Sequence, residues 1–262
     1  MENHFKNTDL YYEEHGSGEP LVLIAGLASD SQSWLSVGEP LANHFRVITL
    51  DNWGVGRSPL DNTGITIEQM ANDCLKLIRH LNLSKVHLLG HSMGGMIAMS
   101  LAIQHPEIVN KLILEATSPK INRRNIELFN DWVTYLQTGM DKRLWFRNLF
   151  YWIFSPAFFE NKEMLNQALQ LSLDYPYPQP DKSFENQVKA VAEFNAEDEL
   201  YKIKAPALVI YGKNDLLFKG SGSGDIFKNI KNKQETTIKG AAHSIHMEQP
   251  ELFSQKVINF LT

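Results

Sequence analysis

Gly90-His91-Ser92-Met93-Gly94 decides the reading of this chain, because of what flanks it. The apolar stretch Val86-His87-Leu88-Leu89 precedes it, and a helix-like run from Gly95 to Ala102 follows. A serine between glycines at a strand-to-helix junction sits on a sharp turn. Its hydroxyl projects at the strand's carboxyl end, beside the positive end of the next helix. Gly90 and Gly94 suit such a turn because neighbouring backbone must approach where a Cβ would stand.

A serine hydroxyl is a weak nucleophile at neutral pH, so this reading requires a base and an orienting acid downstream. Pro206 to Gly212 reads as a buried strand, and Asp215 follows it closely. Glu235 to Lys239 reads as the next short strand and leads through Gly240-Ala241-Ala242 to His243. Ser92, Asp215 and His243 are therefore expected at the carboxyl edge of one parallel sheet, where open α/β sheets place their sites. Each has a rival. His246 could replace His243 as base, and Glu115, at the end of an earlier strand, could replace Asp215 as acid. His91 is expected to hydrogen-bond locally. The pair His243 and His246 has no third ligand at a sensible spacing, so neither a metal nor any other cofactor is expected.

The alternation of elements predicts an α/β fold, a mostly parallel doubly wound sheet of about eight strands. Strands are expected over Asp9 to Glu14, Leu21 to Ala25, Phe45 to Leu50 and Leu112 to Glu115. Helices are expected around Trp34 and Leu41, over Thr66 to Leu81 with Thr66 as its cap, near Ile226, and over Glu251 to Leu261. The middle, from Ile121 to about Leu200, breaks the alternation. It is helix-like and rich in aromatics, and Tyr175-Pro176-Tyr177-Pro178 reads as an extended connection.

These motifs resemble those of the α/β-hydrolases. The likeness rests on the Ser92 turn, Tyr211-Gly212-Lys213-Asn214-Asp215, Gly240-Ala241-Ala242-His243, Asp51 to Ser58, and His246 to Glu251. It implies a core from residues 1–120 and 201–262, with a helical cap over 121–200. It implies an oxyanion hole from the backbone N–H of Met93 and of Leu27, with Gly26 letting the Ala25-Gly26-Leu27-Ala28 loop approach the substrate. Relatives often carry His-Gly where this chain has Ala25-Gly26, and arginine where it has Trp53. An indole cannot reproduce a guanidinium's fork of donors, so loop packing at Trp53 is expected to differ. Most cap aromatics are expected to pack the cap itself. Trp145, Phe146 and Trp152 are candidates to line an apolar pocket over Ser92.

The function expected is a serine hydrolase acting on a small apolar carboxylic ester or lactone through an acyl-enzyme. The same residues would also serve a carbon–carbon bond hydrolase on a vinylogous diketone, and the same fold a small-ligand receptor. A net charge of −5 gives no reason to expect nucleic acid or an anionic membrane as partner. Arg123-Arg124 and Lys142-Arg143 are expected to be solvated. The single cysteine, Cys74, reads as a buried small hydrophobe. Met1 to Gly18 lacks the apolar centre of a signal peptide, and no apolar run nears the roughly 18 residues of a membrane span, so a cytoplasmic protein is expected, as monomer or homodimer. Gly220-Ser221-Gly222-Ser223-Gly224 reads as a mobile linker.

Overall fold

The computed structural model describes residues 3–4, 10–59, 64–218 and 225–262; the Gly220–Gly224 run lies outside them. Eight strands form one sheet among the described residues. They are β1 (Asn3–His4), β2 (Tyr11–His15), β3 (Pro20–Ile24), β4 (Arg46–Leu50), β5 (Val86–His91), β6 (Val109–Glu115), β7 (Ala207–Gly212) and β8 (Lys233–Ile238). Their order is β1-β2-β4-β3-β5-β6-β7-β8. The pairs β1–β2 and β2–β4 are antiparallel, and all others are parallel.

The central strands read as unbroken apolar runs because helices cover both faces of the sheet. Along β3, Leu21 and Leu23 enter one core while Val22 and Ile24 enter the other, as the two-residue strand period demands. The helices α1 (Leu35–Ala42), α2 (Ile67–His80) and α3 (Met93–Gln104) connect strands of the first half. Thr66 caps α2 as expected, its hydroxyl accepting the N–H of Gln69 at 3.1 Å. All positions of α3 from Met93 to Ala102 are buried, which explains why that segment shows apolar residues on every side.

Between β6 and β7 the chain inserts α4 (Arg123–Gln137), α5 (Lys142–Ile153), α6 (Pro156–Glu160), α7 (Lys162–Leu173) and α8 (Asp181–Glu193). These helices form the cap. Phe150, Phe158, Leu165 and Leu169 make a small core of its own, and the Phe154 and Phe158 rings stack at 4.2 Å. After β8 come a short α9 (Ile245–Glu248) and α10 (Pro250–Leu261).

The helix expected near Ile226 is not there. Residues 226–229 form a turn closed by i-to-i+3 bonds, Lys228 N–H to Asp225 O at 3.3 Å and Ile230 N–H to Phe227 O at 2.9 Å, and the chain enters β8 at Lys233 before a helix can extend. No helix of the described residues is long and apolar enough to cross a membrane.

Candidate active site

The turn between β5 and α3 puts Ser92 at φ 53° and ψ −116°, a conformation that side-chain-bearing residues rarely adopt. Its surroundings hold it there. The Ser92 N–H donates to Glu115 O at 2.9 Å, and the Thr117 hydroxyl and Gly95 N–H donate to Ser92 O at 2.6 and 3.0 Å. The glycines are needed sterically. A Cβ on Gly90 would stand 2.2 Å from Gly94 O, and one on Gly94 would stand 2.0 Å from Ile24 O. A Cβ on Gly26 would lie 3.2 Å from that of Ser92, so the loop after β3 rests against this turn. The N–H groups of Leu27, in that loop, and of Met93, first in α3, have no protein acceptor among the described residues.

Asp215 follows β7 and is buried. Its Oδ1 accepts the N–H groups of Leu217 and Phe218 at 2.7 and 3.0 Å. Its Oδ2 stands 3.0 Å from His243 Nδ1, so two of the three residues expected to work together are joined. The loop carrying His243 is pressed onto β7, because a Cβ on Gly212 would fall 1.8 Å from Ala242 O. Phe218 stacks on the His243 ring with centroids 5.6 Å apart. Among the described residues no hydrogen bond joins the Ser92 hydroxyl to His243.

The rivals form a pair of their own. Glu115 Oε1 accepts both the backbone N–H of His246, at 3.0 Å, and its Nδ1, at 2.8 Å. Trp34 lies over the His246 ring at 4.4 Å. His91 sits between the two histidine rings, 4.8 Å from His243 and 4.9 Å from His246, and its Nε2 bonds to His243 O at 3.1 Å. Burial above all, with His243 and His246 beside it, holds His91 well below the ordinary histidine range. His91, Glu115 and His246 bring ligand-type atoms within 4.8 Å of one another. Only His246 of the pair read from the sequence belongs to this cluster, and its other two members come from β5 and β6. Glu115 Oε1 and His246 Nδ1 bond each other and His91 Nε2 bonds His243 O, which ties the cluster to the base loop, while Glu115 Oε2 and His246 Nε2 are buried without a hydrogen-bond partner among the described residues.

The pocket candidates keep company within the cap. The Trp145 indole is buried, donates to Trp132 O at 3.1 Å and meets Phe146 and Phe184 edge-on. Phe146 is partly buried between the cap's core and the main one, and Trp152 lies under the Arg124 guanidinium at 5.6 Å. Arg124 is therefore not merely solvated: it also donates to Leu216 O in the loop after β7. Beside it Asn125 Nδ2 donates to Leu217 O at 2.7 Å. Trp53 keeps one polar function, its indole N–H bonding Asp73 Oδ2 at 2.7 Å. Asp51 ties its own loop, accepting the N–H groups of Ser31 and Arg57 at 2.9 and 2.8 Å. Cys74 is fully buried, which pushes its thiol up to about 12.

Residues 19–250 match the profile of the α/β hydrolase fold. The chain belongs to the α/β-hydrolase fold family. Curated relatives of this hydrolase include RutD of Agrobacterium fabrum, whose assignment as a carbamate hydrolase is provisional. It is 27% identical over 96% of this chain and 98% of its own. The pimeloyl-[acyl-carrier protein] methyl ester esterase of Vibrio cholerae is also 27% identical, over 97% of this chain and 98% of its own. Among solved structures, a thermophilic esterase from Thermogutta terrifontis superposes with a TM-score of 0.85 at 27% identity, covering 96% of this hydrolase and 92% of that chain.

Proposed function

We propose that this hydrolase cleaves a small carboxylic ester or lactone with Ser92 as nucleophile, His243 as base and Asp215 as its orienting acid. The observation that carries the reading is the 3.0 Å contact of His243 Nδ1 with Asp215 Oδ2, at the same sheet edge as the strained Ser92. With Nδ1–H spent on the carboxylate, Nε2 is left to take the serine proton. Ser92 Oγ attacks the carbonyl carbon as that proton moves to Nε2, and the tetrahedral oxygen gathers negative charge. The unspent amides of Leu27 and Met93 are suited to receive it. Collapse expels the alcohol, which takes the proton from His243. Water, activated by the same imidazole, then releases the acid and restores Ser92. The Ser92-to-His243 bond belongs to the substrate complex, since such bonds are often long or unformed before substrate arrives.

The names of the curated relatives point to two acyl classes, methyl esters and carbamates; both offer an acyl carbonyl, which carries carbon in the ester and nitrogen in the carbamate. The test is a panel of p-nitrophenyl esters of increasing acyl length, with lactone and carbamate members, run beside Ser92→Ala. Turnover that depends on Ser92, with an organophosphonate adduct mapped to that residue, is the expected outcome. Tight ligand binding without turnover above the Ser92→Ala background would make the fold a receptor instead. A phosphonate adduct on another residue would overturn the nucleophile.

A further inference from the structure

Three consecutive amides of the base loop are spent on the cap or on a residue shared with it. The N–H groups of His243 and Ser244 both donate to Ile153 O, at 3.1 and 3.0 Å. Ile153 ends α5, so this carbonyl is one that the helix cannot satisfy internally. The third amide, of Ala242, donates to Glu248 Oε2 at 2.7 Å. The other oxygen of that carboxylate, Oε1, accepts the N–H of Ser155 at 2.9 Å. Ser155 is the buried residue joining α5 to α6, so Glu248 bridges the cap and the base loop with one oxygen each.

The core holds the same loop from other sides. His91 Nε2 takes the carbonyl of His243, Glu115 takes the N–H of His246, and Gly212 carries the loop's backbone. None of these contacts reaches the amide side of residues 242–244. From this we infer that Glu248 is a positioning residue through which the cap sets the place of His243. The inference rests on reading His243 as the base. Removing the link leaves the imidazole on Asp215 and the His243 amide on Ile153 O, but it frees Ala242 before the base and the Ser155 end of the stretch that Ile153 belongs to. A displacement near 1 Å at a reacting group costs on the order of 100-fold in rate.

Two variants test it from opposite ends. Glu248→Gln replaces one acceptor by an amide NH2 that opposes a backbone donor. Ser155→Pro deletes the cap's donor alone. Proline fits there because Ser155 has φ −73° and the preceding Phe154 is extended at ψ 152°. On a short p-nitrophenyl ester, kcat is expected to fall about 10- to 100-fold in Glu248→Gln. Ser155→Pro falls in the same direction by less, and KM changes little in either. A lowered Tm with kcat unchanged in both variants would make the clasp purely structural and overturn the inference. Ser92→Ala, assayed in the same series, separates the two failures: turnover there close to the parent's would sink the serine mechanism itself, whatever Glu248 does.

Discussion

Replacing Asp215 by asparagine tests the relay with almost no change of shape. Oδ1 of Asp215 is held by the N–H groups of Leu217 and Phe218 at 2.7 and 3.0 Å. In Asp215→Asn those two donors keep the amide oxygen facing them. The amide nitrogen is then left opposite His243 Nδ1, 3.0 Å away in the present structure, and there it can only donate. Nδ1 must become the acceptor, the ring proton moves to Nε2, and the serine loses its base. A wrong tautomer of this kind costs about 10⁴ in kcat, or roughly 5.4 kcal/mol at 1.36 kcal/mol per tenfold. Initial rates on a p-nitrophenyl ester give kcat, and a thermal melt checks that the fold survives. A folded Asp215→Asn enzyme within about tenfold of the parent kcat would refute the argument, because no tautomer change could then have been imposed.

Gly212→Ala would drive a Cβ to 1.8 Å from Ala242 O, so a loss of about 3 kcal/mol or more is expected in a denaturant melt. Trp53→Phe strips the buried Asp73 of its indole donor while Lys76 remains, for an expected loss of about 1–3 kcal/mol in the same measurement. Burial lowers His91 and, despite its Glu19 partner, His87 from the ordinary 6.5, so the unfolded chain binds protons the native state does not as pH falls. Stability therefore rises with pH up to about 6.5 and is lost progressively below it. Urea midpoints measured at about pH 7.5 and pH 5 should show this, and His91→Gln should flatten the dependence.

The core of the fold was legible because its strands are continuous apolar runs bounded by turn residues, and because α2 carries a cap and an apolar stripe. Sheet-edge geometry also let Ser92, Asp215 and His243 be named from their places after strands. What sequence could not give was pairing across the chain. Glu115 and His246 are 131 residues apart in sequence, and nothing local in either shows that they bond to each other. Thr117, which grips the Ser92 carbonyl, was missed for the same reason, since a threonine after a strand carries no signal of its partner. The Glu248 bridge lay within a recognisable motif, yet its second oxygen reaches Ser155, 93 residues away. The helix expected near Ile226 stops at a turn: Asp225 holds the N–H of Phe227 as a helix cap would, but only i-to-i+3 bonds follow before β8 begins at Lys233, and composition does not distinguish such a turn from a helix's first turn.

The insertion between β6 and β7 grips several separate stretches of the lower body, among them the loop after β3, where Tyr175 donates to Asp30 and Gln187 accepts from Ala28. Arg124 and Asn125 hold the carbonyls of Leu216 and Leu217, Ile153 and Ser155 hold the stretch that presents the imidazole, and Gln187 and Ser183 hold the carbonyls of Trp53 and Gly54. A graft of this segment from a relative, made to import its selectivity, would arrive without its matching receptors on the host scaffold. Such a chimera has to carry the contacted residues along with the transplanted helices, which makes lid exchange a problem of several interfaces rather than of one splice.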